Sequence, residues 1–365
     1  MRDEALAAAR GLFEPGEGVV YLDAATYGLP PGPTLEVMRQ ALSDWQHGSA
    51  NWQEWDHHGD RARALFAEIL GASSDSIALI PSASVGVGTA ASGLSAGDEA
   101  VVADDEFRSV IYPLLVRERD GVRIRVVPFD RLAESLTADT RLVAFSLIQS
   151  QSGHAAALTD ILAAARRTGT EVLIDATHAL PFVSVADEIG SIDYLVCAAY
   201  KHLLCPRGTG FLHVAPRHLE RLAPTNANWR TSHDPYGVYY GPPLDLPDSA
   251  ARFDVSLAWF DWVGAAASLE LIRQWQEGGE LDAVKELARE LATRLGQPAP
   301  RGSVVSLPIA DADRVRAALA GDGIRASVRA GAVRLSPHVY NTAADIERAV
   351  QAVAPYMPVP AGRPA

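Results

Sequence analysis

Lysine is nearly absent from this chain. Of its 32 positively charged side chains among 365 residues, two are lysines, Lys201 and Lys285, and the rest are arginines. Lysine is therefore excluded as the general surface cation. One kept against such a bias points to something a guanidinium cannot do, which is to lose its proton and attack a carbonyl. Cysteine is equally rare. Cys197 and Cys205 are too few for a disulfide framework and lack the paired spacing of a metal site, so no metal and a reduced, cytoplasmic setting are expected. No apolar run approaches the roughly 20 residues of a membrane span. Residues 1–10 read as a short amphipathic helix rather than a secretory leader. Excess positive charge is also missing: a net charge of −13 and a pI near 5.2 argue against nucleic acid or an anionic membrane as partner. Any anionic ligand must be held by local donors.

What is present is ordinary globular composition, 48% hydrophobic and 21% charged, with a length that suggests about two domains. Residues 77–214 alternate short apolar runs with helical stretches. Strands are predicted at Ile77–Ile80, Glu99–Ala103, 122–128, 142–148, 171–176, Tyr194–Ala198 and Gly210–Val214. Several are apolar at every position, as strands covered on both faces are. Helices fall between them, for example over 157–167, ending in Arg-Arg-Thr-Gly. This rhythm predicts an α/β fold with a mainly parallel seven-stranded sheet between helices, and ligands beyond the carboxyl ends of its strands. Residues 225–250 form a long irregular segment rich in aromatic and turn residues. One long helical stretch is expected over 257–295. Strands at 304–309, 325–329 and 333–336 follow, reading as a smaller α+β domain. The expected boundaries are a large domain over 16–248 and a small one from 1–15 with 249–365, its tail over 357–365 disordered.

Lys201 lies between two of these apolar strands, where an ammonium is poorly solvated and the free amine is favoured. The plain alternative is a strand-end lysine reaching for water. Lys285 lies on the polar face of an amphipathic helix and reads as a surface cation. Three other features fall at strand ends of the same sheet. The run Pro81-Ser-Ala-Ser-Val-Gly-Val-Gly opens a helix with small residues, exposing backbone N–H groups beside the hydroxyls of Ser82 and Ser84. It matches neither a dinucleotide nor a P-loop pattern. Asp175 ends a buried strand and needs a cationic or donor partner, with His178 in the turn beyond. Phe107, after Glu99–Ala103, offers a face for a flat ring. Each alone fits a helix cap or core residue. Together they are the parts that hold pyridoxal 5′-phosphate: an imine-forming lysine, a partner for the ring nitrogen, an anion cradle and an aromatic plate.

Tyr21-Leu-Asp-Ala-Ala-Thr-Tyr-Gly, Asp175-Ala-Thr-His178, Tyr200-Lys-His-Leu-Leu-Cys-Pro-Arg-Gly-Thr-Gly, Arg252-Phe-Asp and Arg334-Leu-Ser-Pro-His-Val-Tyr-Asn-Thr together resemble the class V aminotransferase-like enzymes of fold type I. That group includes cysteine desulfurases, isopenicillin N epimerase-like proteins, kynureninases and C–S lyases. The resemblance implies that Lys201, Asp175 and His178 are catalytic, with His178 at the ring hydroxyl. It implies cofactor contacts from Ser82, Ser84, Val85, Phe107, Ser150, Tyr200 and Ser256, the last reaching a neighbouring subunit's phosphate. For a small amino-acid substrate it implies Arg329 at the carboxylate, with Ala25, Tyr27 and Asn228 nearby, in a homodimer. Two departures stand out. Phe107 replaces the ring-stacking histidine of the desulfurases. No cysteine lies between 206 and 365, so their persulfide-carrying thiol is missing. Transamination is the expected activity, with β-elimination and epimerisation as alternatives. A non-catalytic binding protein is disfavoured by the intact Lys201, Asp175 and Arg329.

Overall fold

The computed structural model describes residues 2–329 and 331–357. The tail expected to be disordered lies, apart from Met357, outside the described residues. In chain order the strands are β1 (Val20–Tyr21), β2 (Ile77–Ile80), β3 (Glu99–Ala103), β4 (Arg123–Val127), β5 (Thr140–Ser146), β6 (Glu171–Asp175), β7 (Tyr194–Ala198) and β8 (Gly210–Val214). Further on come β9 (Val305–Pro308), β10 (Ile324–Arg325), β11 (Ser327–Arg329) and β12 (Ala332–Leu335).

Strands β2 to β8 form one seven-stranded sheet in the order β2-β8-β7-β6-β5-β3-β4. β8 runs against both of its neighbours, β2 and β7. The remaining pairs are parallel. All residues of β2, β6, β7 and β8 are buried, because helices cover both faces. Alternate side chains go to opposite cores: Ile77, Leu79, Val101 and Phe145 to one, and Ala78, Ile80, Ala100 and Val102 to the other. The mainly parallel sheet expected from the alternation is the sheet observed. Since β7 and β8 are antiparallel neighbours, the Lys201 segment is a connection within a hairpin. It emerges at the same edge where β2, β3 and β6 end.

Two expectations need correction. The stretch over 257–295 is two helices, Trp259–Gly278 and Glu280–Arg294. Gly279, at φ +89°, takes a left-handed conformation that ends the first. The strand expected over 325–329 is two short ones serving different partners. β10 pairs with β1 in parallel, whereas β11 joins β12 and β9 in a three-stranded antiparallel sheet.

The irregular segment after residue 225 is tied down by charge. Arg230 and Arg63, both buried, meet Asp56, Asp60 and Asp254: Arg230 pairs with Asp56 and, at 2.5 Å, with Asp60, while Arg63 reaches Asp254 at 2.6 Å. Asp254 also accepts the Leu79 amide at 2.8 Å, so the network grips β2 directly. Removing one partner from such a cluster strands the other charge without water.

The N-terminal segment straps the two parts of the molecule together. Leu22 N–H donates to the Arg325 carbonyl at 2.8 Å, and Gly28 N–H donates to the Tyr200 carbonyl at 2.9 Å. Gly28 is required there: a Cβ at this position would collide with the Lys201 carbonyl and the Leu204 side chain. Gly28→Ala is therefore expected to lower stability by about 1–3 kcal/mol in denaturant unfolding. An unchanged midpoint would show that the strap is not tight.

Candidate active site

Lys201 lies three residues after the end of β7, beside the strap at Gly28. It is 6% exposed, and its amine meets His178 Nε2 at 2.9 Å rather than a carboxylate. Burial pushes this amine down to about 8, against the opposing pull of Asp175. Asp175, at the end of β6, is buried in turn. Burial raises its carboxyl, while hydrogen bonds from Thr177 and the charge of Lys201 work the other way. The Thr177 amide donates to Asp175 Oδ1 at 2.8 Å, and the Thr177 hydroxyl accepts the Ala198 amide at 2.9 Å, locking the β6 turn to β7. Burial and the neighbouring Lys201 hold His178 far below the usual imidazole range, so it is neutral.

Lys201 and Asp175 face a cavity of about 430 Å³, also lined among others by Ser82, Ser84, Phe107 and Tyr200. Ser82 precedes the helix Ala83–Ala91, and its side chain makes no capping bond; it lies 3.0 Å from the Ser84 hydroxyl instead. The helix N-terminus therefore presents two hydroxyls and its positive end to the cavity. Phe107 is 42% exposed rather than a core residue, and the Lys201 amine sits 5.4 Å from its ring centroid. Tyr200 packs beside it, with Arg207 over its ring at 5.0 Å.

A second cavity of about 430 Å³ shares Phe107 and is lined by Glu106, Gln149, Ser150, Arg329 and Arg334, among others. Arg334 is buried. It donates to the Ser150 carbonyl at 2.7 Å and the Thr26 hydroxyl at 2.7 Å, while its Nε has no hydrogen-bond partner among the described residues. Arg329 is exposed and reaches the Thr26 hydroxyl at 3.4 Å. Burial raises Glu106 to about 7 although it accepts from the Ser146 amide and hydroxyl and the Phe107 amide. Those bonds fasten the end of β3 to the end of β5 beneath the Phe107 ring.

Lys201, Asp175, Ser82, Ser84, Phe107 and Tyr200 thus share one cavity, with His178 against the amine. Ser150 and Arg329 share the next. The other expected residues lie elsewhere. Val85 is partly buried and packs against the core under the helix it belongs to. Ala25 is buried, its N–H spent on the Ser336 hydroxyl at 2.8 Å. Tyr27 faces a separate cleft with Val19, Tyr21 and Arg316. Asn228 caps the turn Trp229–Thr231 and donates to the Asp254 carbonyl at 3.0 Å. Ser256 is exposed, outside the lining of both cavities. Sequence reasoning passed over Thr177, Arg207, Gln149, Glu106, His202 and the position of Arg334. Thr177, Arg207, His202 and Arg334 lie inside motifs already marked, but the contacts of His202 and Arg334, like the placing of Gln149 and Glu106, depend on distant segments.

The family model described as Aminotransferase class-V matches residues 20–349. The chain belongs to that family. Its curated relatives include a kynureninase from Deinococcus radiodurans, 28% identical, covering 96% of this chain and 92% of the relative. An isopenicillin N epimerase from Streptomyces clavuligerus is 30% identical over 53% of this chain and 50% of its own length. Among solved structures, a cystine C–S lyase in complex with its product cysteine persulfide superposes with a TM-score of 0.81 at 23% identity, covering 93% of this chain and 98% of that one. A variant of that lyase with glycine linked to its pyridoxal phosphate gives 0.83 at 21% identity, covering 95% and 99%. The fold is fold type I, and the family's cofactor is pyridoxal 5′-phosphate. Among the described residues no helix is long and apolar enough to cross a membrane, and no cluster suits a metal ion. Cys197 and Cys205 are free and buried, and burial raises both thiols, so neither is a ready nucleophile.

The depressed Lys201 amine has a direct consequence. In cofactor-free protein its reaction with an amine-selective reagent should rise with pH around a midpoint near 8, the free base being the reactive form. Lys201→Ala supplies the background from Lys285. A midpoint at the ordinary lysine value above 10 would contradict the burial argument.

Proposed function

We propose that this enzyme acts at Cα of a small amino acid and that its reaction is transamination. The observation that carries the reading is the Lys201 amine, buried with Asp175 on one cavity and next to a second cavity lined by three arginines, Arg108, Arg329 and Arg334. The residues present fit pyridoxal phosphate. The uncapped Ser82–Ser84 helix end suits its phosphate, the exposed Phe107 face its ring, and the buried Asp175 carboxylate its ring nitrogen. Tyr200 is the further phosphate ligand and His178 the partner of the ring oxygen. When bound, the cofactor supplies an electron sink for the charge left at Cα.

The chain's own groups do the rest. Lys201 holds and moves the Cα proton from Nζ, an amine already half free near pH 8. Arg329, with Arg334 deeper in the same cavity, takes the substrate carboxylate through a fork that matches it. Glu106 fixes Phe107 from below. Transamination is preferred because a proton moved between two carbons needs no second acid, and no thiol or protonated imidazole lines either cavity. The exposed side chains of Val238, Tyr240 and Leu244, up to 91% accessible, support a homodimer covering the segment 225–248.

Purified protein should be yellow, and Lys201→Ala should lose covalent attachment while keeping the fold by circular dichroism. Asp175→Asn should lower turnover at least about 100-fold, since a pairing interaction of several kcal/mol is lost in a dry site. Incubation with a panel of amino acids, with keto acid, pyruvate and sulfide assayed together, decides the fate of the substrate. Keto acid with a stoichiometric amino form of the cofactor supports transamination. Pyruvate without that form overturns it in favour of β-elimination.

A further inference from the structure

Behind Lys201 and His178 lie two further imidazoles that the catalytic reading leaves unused. His202, the next residue along, is fully buried, as is His338. His178 Nδ1 lies 3.2 Å from His202 Nε2, continuing the 2.9 Å contact between His178 Nε2 and the Lys201 amine. At the far end His338 Nε2 lies 3.0 Å from the His202 carbonyl, and His338 Nδ1 accepts the Val339 amide at 2.9 Å. Phe182 closes the row, its ring 5.5 Å from both His202 and His338.

We infer that His202 is a positioning residue that fixes the tautomer of His178, so that His178 always offers an N–H, from Nε2, to the atom standing at the Lys201 amine.

His338 receives the Val339 amide on Nδ1, so its own proton sits on Nε2 and goes to the His202 carbonyl. His202 Nδ1 is buried and has no hydrogen-bond partner among the described residues. A neutral ring carries one proton, and an orphaned buried N–H is costlier than an orphaned lone pair. The His202 proton therefore belongs on Nε2, where it is donated to His178 Nδ1. That leaves the His178 proton on Nε2, aimed at Lys201. Burial holds all three rings far below the usual range, which keeps each at one proton. An amine facing this donor accepts with its lone pair, whereas an ammonium would set N–H against N–H. The row thus works with burial in lowering the Lys201 amine. With the cofactor in place the same donor meets an oxygen or nitrogen lone pair; that consequence rests on the reading above, but the tautomer order does not.

Nitrogen-15 NMR of the ring nitrogens in the cofactor-free wild-type protein tests the order without any substitution. At pH 9, above the Lys201 midpoint near 8, His178 and His202 should both carry their proton on Nε2, and a proton on His202 Nδ1 or a charged ring in the row at that pH would overturn the inference. His202→Gln keeps an amide donor near the position of Nε2, whereas His202→Phe keeps only the bulk. His202→Phe is expected to release His178 into mixed tautomers and to weaken cofactor binding roughly tenfold, one charge-assisted hydrogen bond. His202→Gln should stay within about threefold of wild type. Equal losses in both variants would mean that the ring serves packing alone. Should the cofactor fail to bind the wild-type protein at all, the function proposed above falls, while the NMR result still decides the tautomer.

Discussion

An amine without water is the condition on which this molecule is arranged. Attraction from Asp175 pulls Lys201 toward its charged form, yet desolvation wins and the net shift is downward. Several unrelated pieces of chain cooperate to keep the site dry. The β7–β8 hairpin carries the lysine, the strap through Gly28 seals it from above, and the imidazole row fills the space behind. None of these pieces touches the surface chemistry of the protein. Each is a device for excluding solvent from one nitrogen.

The sheet supplies the rest by geometry alone. Strands that run the same way end at the same edge, so Ser82, Phe107 and Asp175 meet although the first and last are separated by more than ninety positions in the chain. The reversed strand β8 completes the arrangement, because it returns the chain immediately and lets the lysine turn remain at that edge. A crossover helix in its place would carry the chain away from it.

The part of this legible from sequence was the part written locally. Unbroken apolar runs announced the sheet, and an isolated lysine, a strand-ending carboxylate and a run of small residues announced the cavity. What could not be read depends on which distant segments touch. His202 and His338 are 136 positions apart, and neither carries a local sign of the other. Asn228 looked like a polar residue in a binding loop, but its amide is consumed by a turn and by the Asp254 carbonyl. Arg334 was marked as a landmark, while its burial beside Arg329 follows from β11 and β12 pairing back to back. The helix over 257–295 misled because helix-forming residues run on both sides of Gly279, whose left-handed backbone ends the first helix.

The hairpin that bears Lys201 joins strands only a dozen residues apart, whereas Arg334 and the Gly28 strap arrive from opposite ends of the chain. Loop closure makes near contacts cheap and remote ones slow. The nucleophile's scaffold can therefore condense early, and the anion fork and seal must come late. Until those remote contacts form, a lysine on that hairpin is wet, charged and inert. Reactivity is acquired only when the two chain ends close over it, so a half-folded molecule does not carry a loose reactive amine.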